Sequence, residues 1–393
     1  MMAAATAADR GLDVVLLEKQ NRVGRKLLIT GKGRCNITND KDISEFFPEI
    51  NRNANFCYSP LYTYTNNNLM DYFQNRGLKI KTERGGRVFP KSDNSFDVID
   101  TLRNDLIKND IEIIPDTYVN EIYKNNKFIV NTNNGTFQSD ALIIASVGIS
   151  YPQTGSDGSL FKVIKSLGHS IQTLMPSLVP IELKDDWIAS LSGVTLKNVS
   201  LKTFYKNKLI ADEFGEMLFT HTGISGPITL KTSTFLDEGK DYKLSLDLKP
   251  ALDFDELDLR IQNDFKKYAN KDFKNALGDL TINALIPFII KFSKIDPNKV
   301  VHQITKKERH TLVSVFKDFP LTYKSLKEAK YGIITRGGVS VNEINPSTMG
   351  SKIIEDLYFA GEVIDVDANT GGYNLQFAFS RGYLAGYSCG GKL

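Results

Sequence analysis

A chain of 393 residues, 41% hydrophobic and 24% charged, has the composition of an ordinary globular protein and the length for two or three domains, which excludes a disordered or low-complexity chain. A formal net charge of +3 is too small to argue by itself for a nucleic-acid partner, although it leaves room for a local basic patch. Cys35, Cys57 and Cys389 are odd in number and widely spaced, with no Cys-x-x-Cys pair, which argues against a metal site and fits a reducing cytoplasm. The start does not read as a secretory leader, and no apolar run approaches the ~20 residues that span a bilayer, so no membrane partner is expected.

Residues 1–10 are Ala-rich and predict a helix that Gly11 ends; Asp13-Val-Val-Leu-Leu-Glu18 predicts a buried strand finishing in an acid. Helix, turn, strand and carboxylate make the second half of a dinucleotide-binding unit, with Glu18 placed for a ribose hydroxyl pair. The strand and Gly-x-Gly-x-x-Gly turn of the first half have no counterpart, and without them an ordinary helix-strand unit ending in Glu reads equally well. Next, Gly24-Arg-Lys26 and Thr30-Gly-Lys-Gly-Arg-Cys-Asn-Ile-Thr38 predict a loop that brings backbone donors and cations to a pyrophosphate, the alternative being a solvated turn.

A helix is expected around residues 68–76, a strand over 77–82, and a turn into another over 85–90. Residues 97–108 place Val98, Ile99, Leu102, Leu106 and Ile107 on one helical face. Strands follow over 111–114, 117–124, 127–132 and 136–139, the last two joined by the hairpin signal Asn133-Asn-Gly135. Residues 140–148 predict a buried strand running into a glycine turn, where α/β folds bind ligands. From about residue 174 short β-like runs dominate, such as 194–199 and 200–205 with a turn at Asn207, a loop over 219–227 and a strand over 241–248. Residues 253–314 are helical in pattern, with a core stripe at Leu280, Ala284, Leu285 and Ile289. Residues 331–341 return to β-rich sequence punctuated by glycine.

The stretch Leu357-Tyr-Phe-Ala-Gly-Glu-Val-Ile-Asp-Val-Asp367 reads as a short buried strand, then a loop carrying Glu362, Asp365 and Asp367. Gly371 and Gly372 then open a helix from about Asn374. Free N–H groups at such a helix start suit an electron-rich ligand, and the glycines let it approach the backbone. The plainer alternative is an acidic surface loop before a packing helix.

Together, Gly24-Arg-Lys26, Gly31-Lys-Gly-Arg-Cys-Asn36, Gly86-Arg-Val-Phe-Pro90, Tyr151-Pro-Gln-Thr-Gly155, His221-Thr-Gly-Ile-Ser-Gly-Pro227, Gly337-Gly-Val339 and the last stretch resemble, in order and over nearly the whole chain, the bacterial flavoprotein family called BaiN/RdsA. Some of its members are described as aminoacetone oxidases. The resemblance implies an α/β protein whose Rossmann-like, glutathione-reductase-like FAD-binding domain (1–173 and 331–393) is interrupted by a β-rich domain (174–252, returning over 317–330) and a helical subdomain (253–316). It implies that Glu18 binds ribose and Glu362 the ribityl chain, with Tyr373, Asn374 and Leu375 at the flavin end of the last helix. The implied cofactor set adds Lys19, Arg25, Lys26, Gly33, Arg34, Cys35, Asn36, Val119, Ser146, Gly148, Gly361 and Gly372.

Related members are linked to reduction of bile-acid enones, oxidation of small aminoketones, and formation of dihydrouridine in large-subunit ribosomal RNA. The leading expectation is an FAD-dependent oxidoreductase that reduces a conjugated C=C bond by hydride transfer from flavin N5, with NAD(P)H as candidate donor and a small molecule or ribosomal RNA uridine as substrate. The alternatives are an aminoketone oxidase and a non-catalytic flavin- or RNA-binding protein. Cys35, His221 and Tyr373 are candidate proton donors, and Arg87 a candidate contact to a substrate carbonyl. Each has a plainer role, as a packed thiol, a loop hydrogen bonder, a ring packed on the flavin and a salt-bridged arginine respectively. Because the family's first strand and glycine turn have no counterpart, this reading also expects a truncated form that binds FAD poorly.

Overall fold

The computed structural model describes residues 1–391. The chain divides into two compact units, one of Met1–Ser177 with Ala329–Leu393 and one of Leu178–Glu328. The boundary follows from pairing: the strand Ile171–Ser177 runs antiparallel to Ile334–Val339, so residues 174–177 belong with the first unit.

In the first unit the helix Met2–Ala8 is built almost wholly of alanine, the strongest helix former, and its small side chains let it lie close against the last helix, Tyr373–Ser388. A Cβ on Gly386 would stand 2.3 Å from the Ala3 carbonyl oxygen, so only glycine fits that crossing. The strand Val15–Leu17 pairs in parallel with Glu112–Ile114, and Leu142–Ile144 with Leu357–Phe359. The first of these strands was expected to be buried, yet Val15 is 46% exposed; with a ladder on one edge among the described residues, its start faces solvent. Two three-stranded antiparallel sheets complete the unit. One holds the Lys127–Thr132 and Gly135–Ser139 hairpin, where Gly135 takes φ +120° as the Asn-Gly signal requires. The other runs Thr38–Asn39, Arg87–Pro90, Ile80–Glu83.

The helix Ser95–Lys108 buries Val98, Ile99, Leu102 and Leu106, whereas Ile107, assigned to the same face, is 54% exposed. Nine residues after Val98, at about 100° per residue, Ile107 lies half a turn away. The main core gathers Phe46, Cys57, Leu61, Phe128, Phe359 and Phe377 beneath the second parallel pair.

The second unit is a closed six-stranded barrel with four α-helices, Pro227–Ser233, Phe254–Lys267, Ile286–Ser293 and Lys306–Lys317. The two short runs expected over 194–205 are one strand, Thr195–Tyr205, bulged where Asn198 takes φ +55°. Lys206 and Asn207, both at positive φ, turn it into Lys208–Phe219. Leu280, Leu285 and Ile289 are buried but Ala284 is exposed, because the stripe crosses a 3-10 turn and never forms one helical face. No helix among the described residues is long and apolar enough to cross a membrane.

Candidate functional site

The strand Leu357–Phe359 ends in Ala360, and Gly361 turns the chain at φ +76° so that Glu362 points back into the unit. Its carboxylate is the centre of a network. Oε1 accepts from the Thr335 N–H at 2.9 Å and the Ser150 hydroxyl at 3.2 Å, and Oε2 accepts from Lys26 Nζ at 2.5 Å. Lys26 also donates to Ser150 at 2.8 Å and Ser156 at 3.2 Å. Four separate segments meet here, and Gly148 shows how tightly: a Cβ on it would stand 2.0 Å from Thr335 Oγ1, which accepts from the Ile149 N–H at 2.7 Å.

The acidic loop does not lie on the surface. Asp365 and Asp367 are 5% and 0% exposed, and their carboxylates tie the loop to its neighbours. Asp365 accepts from the Gly337 N–H, and Asp367 from Ser177 and Asn51. Burial raises the Asp367 carboxyl above its usual range, against the hydrogen bonds and arginines that hold it down. Glu18, at the other strand end, is also raised by burial and holds the Gln20 N–H at 2.8 Å. The Thr117 N–H donates to the Glu18 carbonyl, which brings the segment leading to Val119 alongside.

At the last helix, Gly371 and Gly372 take φ +132° and +102°, and a Cβ on Gly372 would stand 2.2 Å from the Thr38 carbonyl oxygen. This close approach sets the helix start beside the segment Asn36-Ile-Thr38. Asn374 spends its side chain on the loop, accepting from the Ala368 N–H and donating to the Ala368 and Asn369 carbonyls, so only the backbone of the first turn is left to meet a ligand. Leu375 packs against the core cluster that contains Cys35 and Ile37. Tyr373 is 4% exposed and sits edge-on to Phe46; burial, and then the carboxylates of Glu49 and Glu45, push its phenol up to about 12.

The glycine and cation segment is not a plain loop. Arg25–Ile29 is helical, and Gly31, Lys32, Gly33 and Cys35 all take positive φ. Three of its four cations are engaged by protein partners: Arg25 by Gln20, Lys26 by Glu362, and Arg34 by Glu83 and Asp93 while it stacks over Phe89. Lys19 is likewise held by Asp157 and Ser159. Arg34, expected among the cofactor-binding residues, thus has two carboxylates as partners, Glu83 from the strand Ile80–Glu83 and Asp93. Cys35 is wholly buried, and desolvation pushes its thiol up to about 12. Arg87 pairs with Glu83 at 3.6 Å on the surface, and His221 is exposed on the second unit.

Sequence reasoning missed Thr335, Ser150 and Ser156, whose only signal was a hydroxyl flanking a glycine turn, and Glu49, which carried none. Two of the residues it did single out bear on the fit of a bound dinucleotide. Asn36 Oδ1 and Ser146 Oγ are buried with no hydrogen-bond partner in the protein, as expected of atoms that serve a group supplied from outside. Gly361, with open space on its Cβ side, leaves room for such a group.

The family described as HI0933-like protein Rossmann domain matches residues 1–388. The chain belongs to this family. The HI0933-like proteins are FAD-dependent oxidoreductases, so FAD is the group that the residues above would hold, and the family resemblance carried by the motifs is borne out. This HI0933-like chain is 29% identical over 389 residues to the 3-dehydro-bile acid delta(4,6)-reductase of Clostridium scindens, covering 98% of this chain and 94% of that one. It is 27% identical over 387 residues to the ribosomal RNA dihydrouridine synthase of Escherichia coli, covering 98% and 93%. A solved 3-ketosteroid delta1-dehydrogenase from Sterolibacterium denitrificans shares the fold, with a TM-score of 0.50 at 12% identity over 98% of this chain and 96% of that one.

Proposed function

We propose that the chain reduces a conjugated C=C bond, and that its substrate is uridine in large-subunit ribosomal RNA. What carries the reading is that relatives matched over nearly their full length are named for two unlike substrates, a bile acid and ribosomal RNA, and for one chemistry, addition of hydrogen to a double bond. The nucleic-acid choice is supported by an aromatic stack: Phe47 lies on Tyr58 at 4.0 Å, and Tyr58 and Tyr62 are 48% and 54% exposed. Such faces take unpaired bases without sequence preference. A cytoplasmic location goes with this substrate and with three free, buried cysteines.

FAD, when bound and reduced by NAD(P)H, would supply the hydride. Glu18 would hold the ribose hydroxyls and Glu362, with Lys26, the ribityl chain, and Asn36, Ser146 and the N–H groups opening the last helix would offer polar contacts to the flavin. Tyr373 gives the proton to the carbon beside the one reduced; its phenol, pushed up to about 12, carries that proton at neutral pH. Cys35, shut in the core, serves packing instead.

The test compares nucleosides of large-subunit ribosomal RNA from cells with and without the gene. We expect dihydrouridine to vanish without it, to return with the wild-type gene, and to return with Tyr373→Phe at a rate about 10²-fold or more lower. An unchanged nucleoside profile sinks the ribosomal substrate, and oxygen uptake with aminoacetone at about 1 s⁻¹ or faster would make the protein an oxidase.

A further inference from the structure

The last helix carries a cation that none of the roles above uses. Arg381 is 3% exposed; its Nε donates to the Phe377 carbonyl one turn back at 3.0 Å, and its Nη1 has no hydrogen-bond partner in the protein. It forms no ion pair among the described residues. The groups whose charge acts on it are Cys57 and Glu362. Cys57 is a neutral thiol, pushed up to about 11 by burial, and Glu362 already answers to Lys26, Ser150 and Thr335. A guanidinium buried without an anion of its own is costly to hold, so an anion that arrives with a ligand has an unusually large effect there. The planar fork of arginine matches phosphate oxygens in pairs.

We propose that Arg381 binds the diphosphate of FAD, donating from Nη1 to a phosphate oxygen. The chemical order of the cofactor supports this: the diphosphate follows the ribityl chain, and the residue read to hold that chain, Glu362, lies in the turn Gly361–Val363, which packs against the helix that carries Arg381. Two of the cations that the sequence offers to the diphosphate are already paired, Arg34 with Glu83 and Asp93 and Lys19 with Asp157. The proposal rests on the ribityl chain lying at Glu362.

The experiment titrates the full chain, stripped of flavin by dialysis, with FAD and separately with riboflavin, which keeps the ring and ribityl chain but has no phosphate. Arg381→Met is expected to weaken FAD about tenfold to a hundredfold and to leave riboflavin affinity unchanged. Arg381→Lys, which keeps the charge but not the fork, is expected to weaken FAD less, again sparing riboflavin; this variant carries the test if Arg381→Met does not fold. Equal losses for both ligands, or undiminished FAD affinity in a variant with wild-type thermal unfolding, overturn the proposal. Glu362→Ala leaving riboflavin affinity intact would instead overturn the placement of the ribityl chain.

Discussion

Glu362 and Asp367 are five residues apart and both acidic, one with a side chain 12% exposed and the other wholly buried, and their surroundings give them different work. Glu362 faces the cluster of Lys26, Ser150 and Thr335, where a ribityl hydroxyl joins a network already organised around a charge. We expect Glu362→Ala to weaken FAD about tenfold or more, since charge-assisted bonds contribute about 1.5 to 3 kcal/mol each. Asp367 faces Ser177 and Asn51, so Asp367→Ala should leave FAD affinity nearly unchanged and lower the melting temperature, because those two side chains lose their acceptor. Flavin titration and thermal unfolding of both variants check this, and equal losses of flavin would count against it. The pH dependence has a definite sign. Burial raises the folded-state carboxyl of Asp367 above 3.8, so the folded chain holds this proton more tightly than the unfolded one. Its contribution to stability is greatest in acid and declines as pH rises through the raised value.

At the scale of elements, the last helix depends on how it begins. Gly372 caps it at φ +102°, a region costly for any residue with a Cβ, and its α-carbon touches the backbone of the Thr38–Asn39 strand. Gly372→Ala is therefore expected to shift the helix start away from Asn36 and Thr38, lowering both the melting temperature and the FAD content of the purified protein. A Gly372→Ala protein with wild-type flavin content would show that the contact is not needed for binding. Two helices of the second unit start differently, through capping boxes at Asp253 with Glu256 and Thr305 with Glu308. Those boxes are four-residue patterns visible in any sequence, whereas the glycine cap is defined by a strand more than 300 residues earlier.

For the whole molecule, the second unit is one continuous insertion, and its ends join strands that are already paired: Ser177 stands opposite Ile334 in the ladder that closes the first unit. The first unit also keeps Glu18, Lys26, Glu362, Tyr373 and Arg381 within itself. Replacing residues 178–328 by a short flexible linker is accordingly expected to leave a folded first unit that still binds FAD, as judged by cooperative thermal unfolding and bound flavin. Loss of cooperative unfolding would show that the first unit needs the barrel to fold.

The sequence by itself determined which pieces this protein is made of. A strand end followed by Glu362, paired glycines before a helix, and the Asn-Gly hairpin are all set by neighbours in the chain, where turn chemistry and hydrophobic period act. Only the tertiary structure decided what those pieces touch. Lys26 and Glu362 meet across 336 residues, and Arg34, which reads as a phosphate ligand, is taken by Glu83 and Asp93. Nor could any local pattern mark Arg381 as unpaired, since the absence of a partner is a property of everything packed around it. Hydrogen bonds and ion pairs depend on separations of a few tenths of an ångström between distant segments, and that precision exists only once the chain has closed on itself.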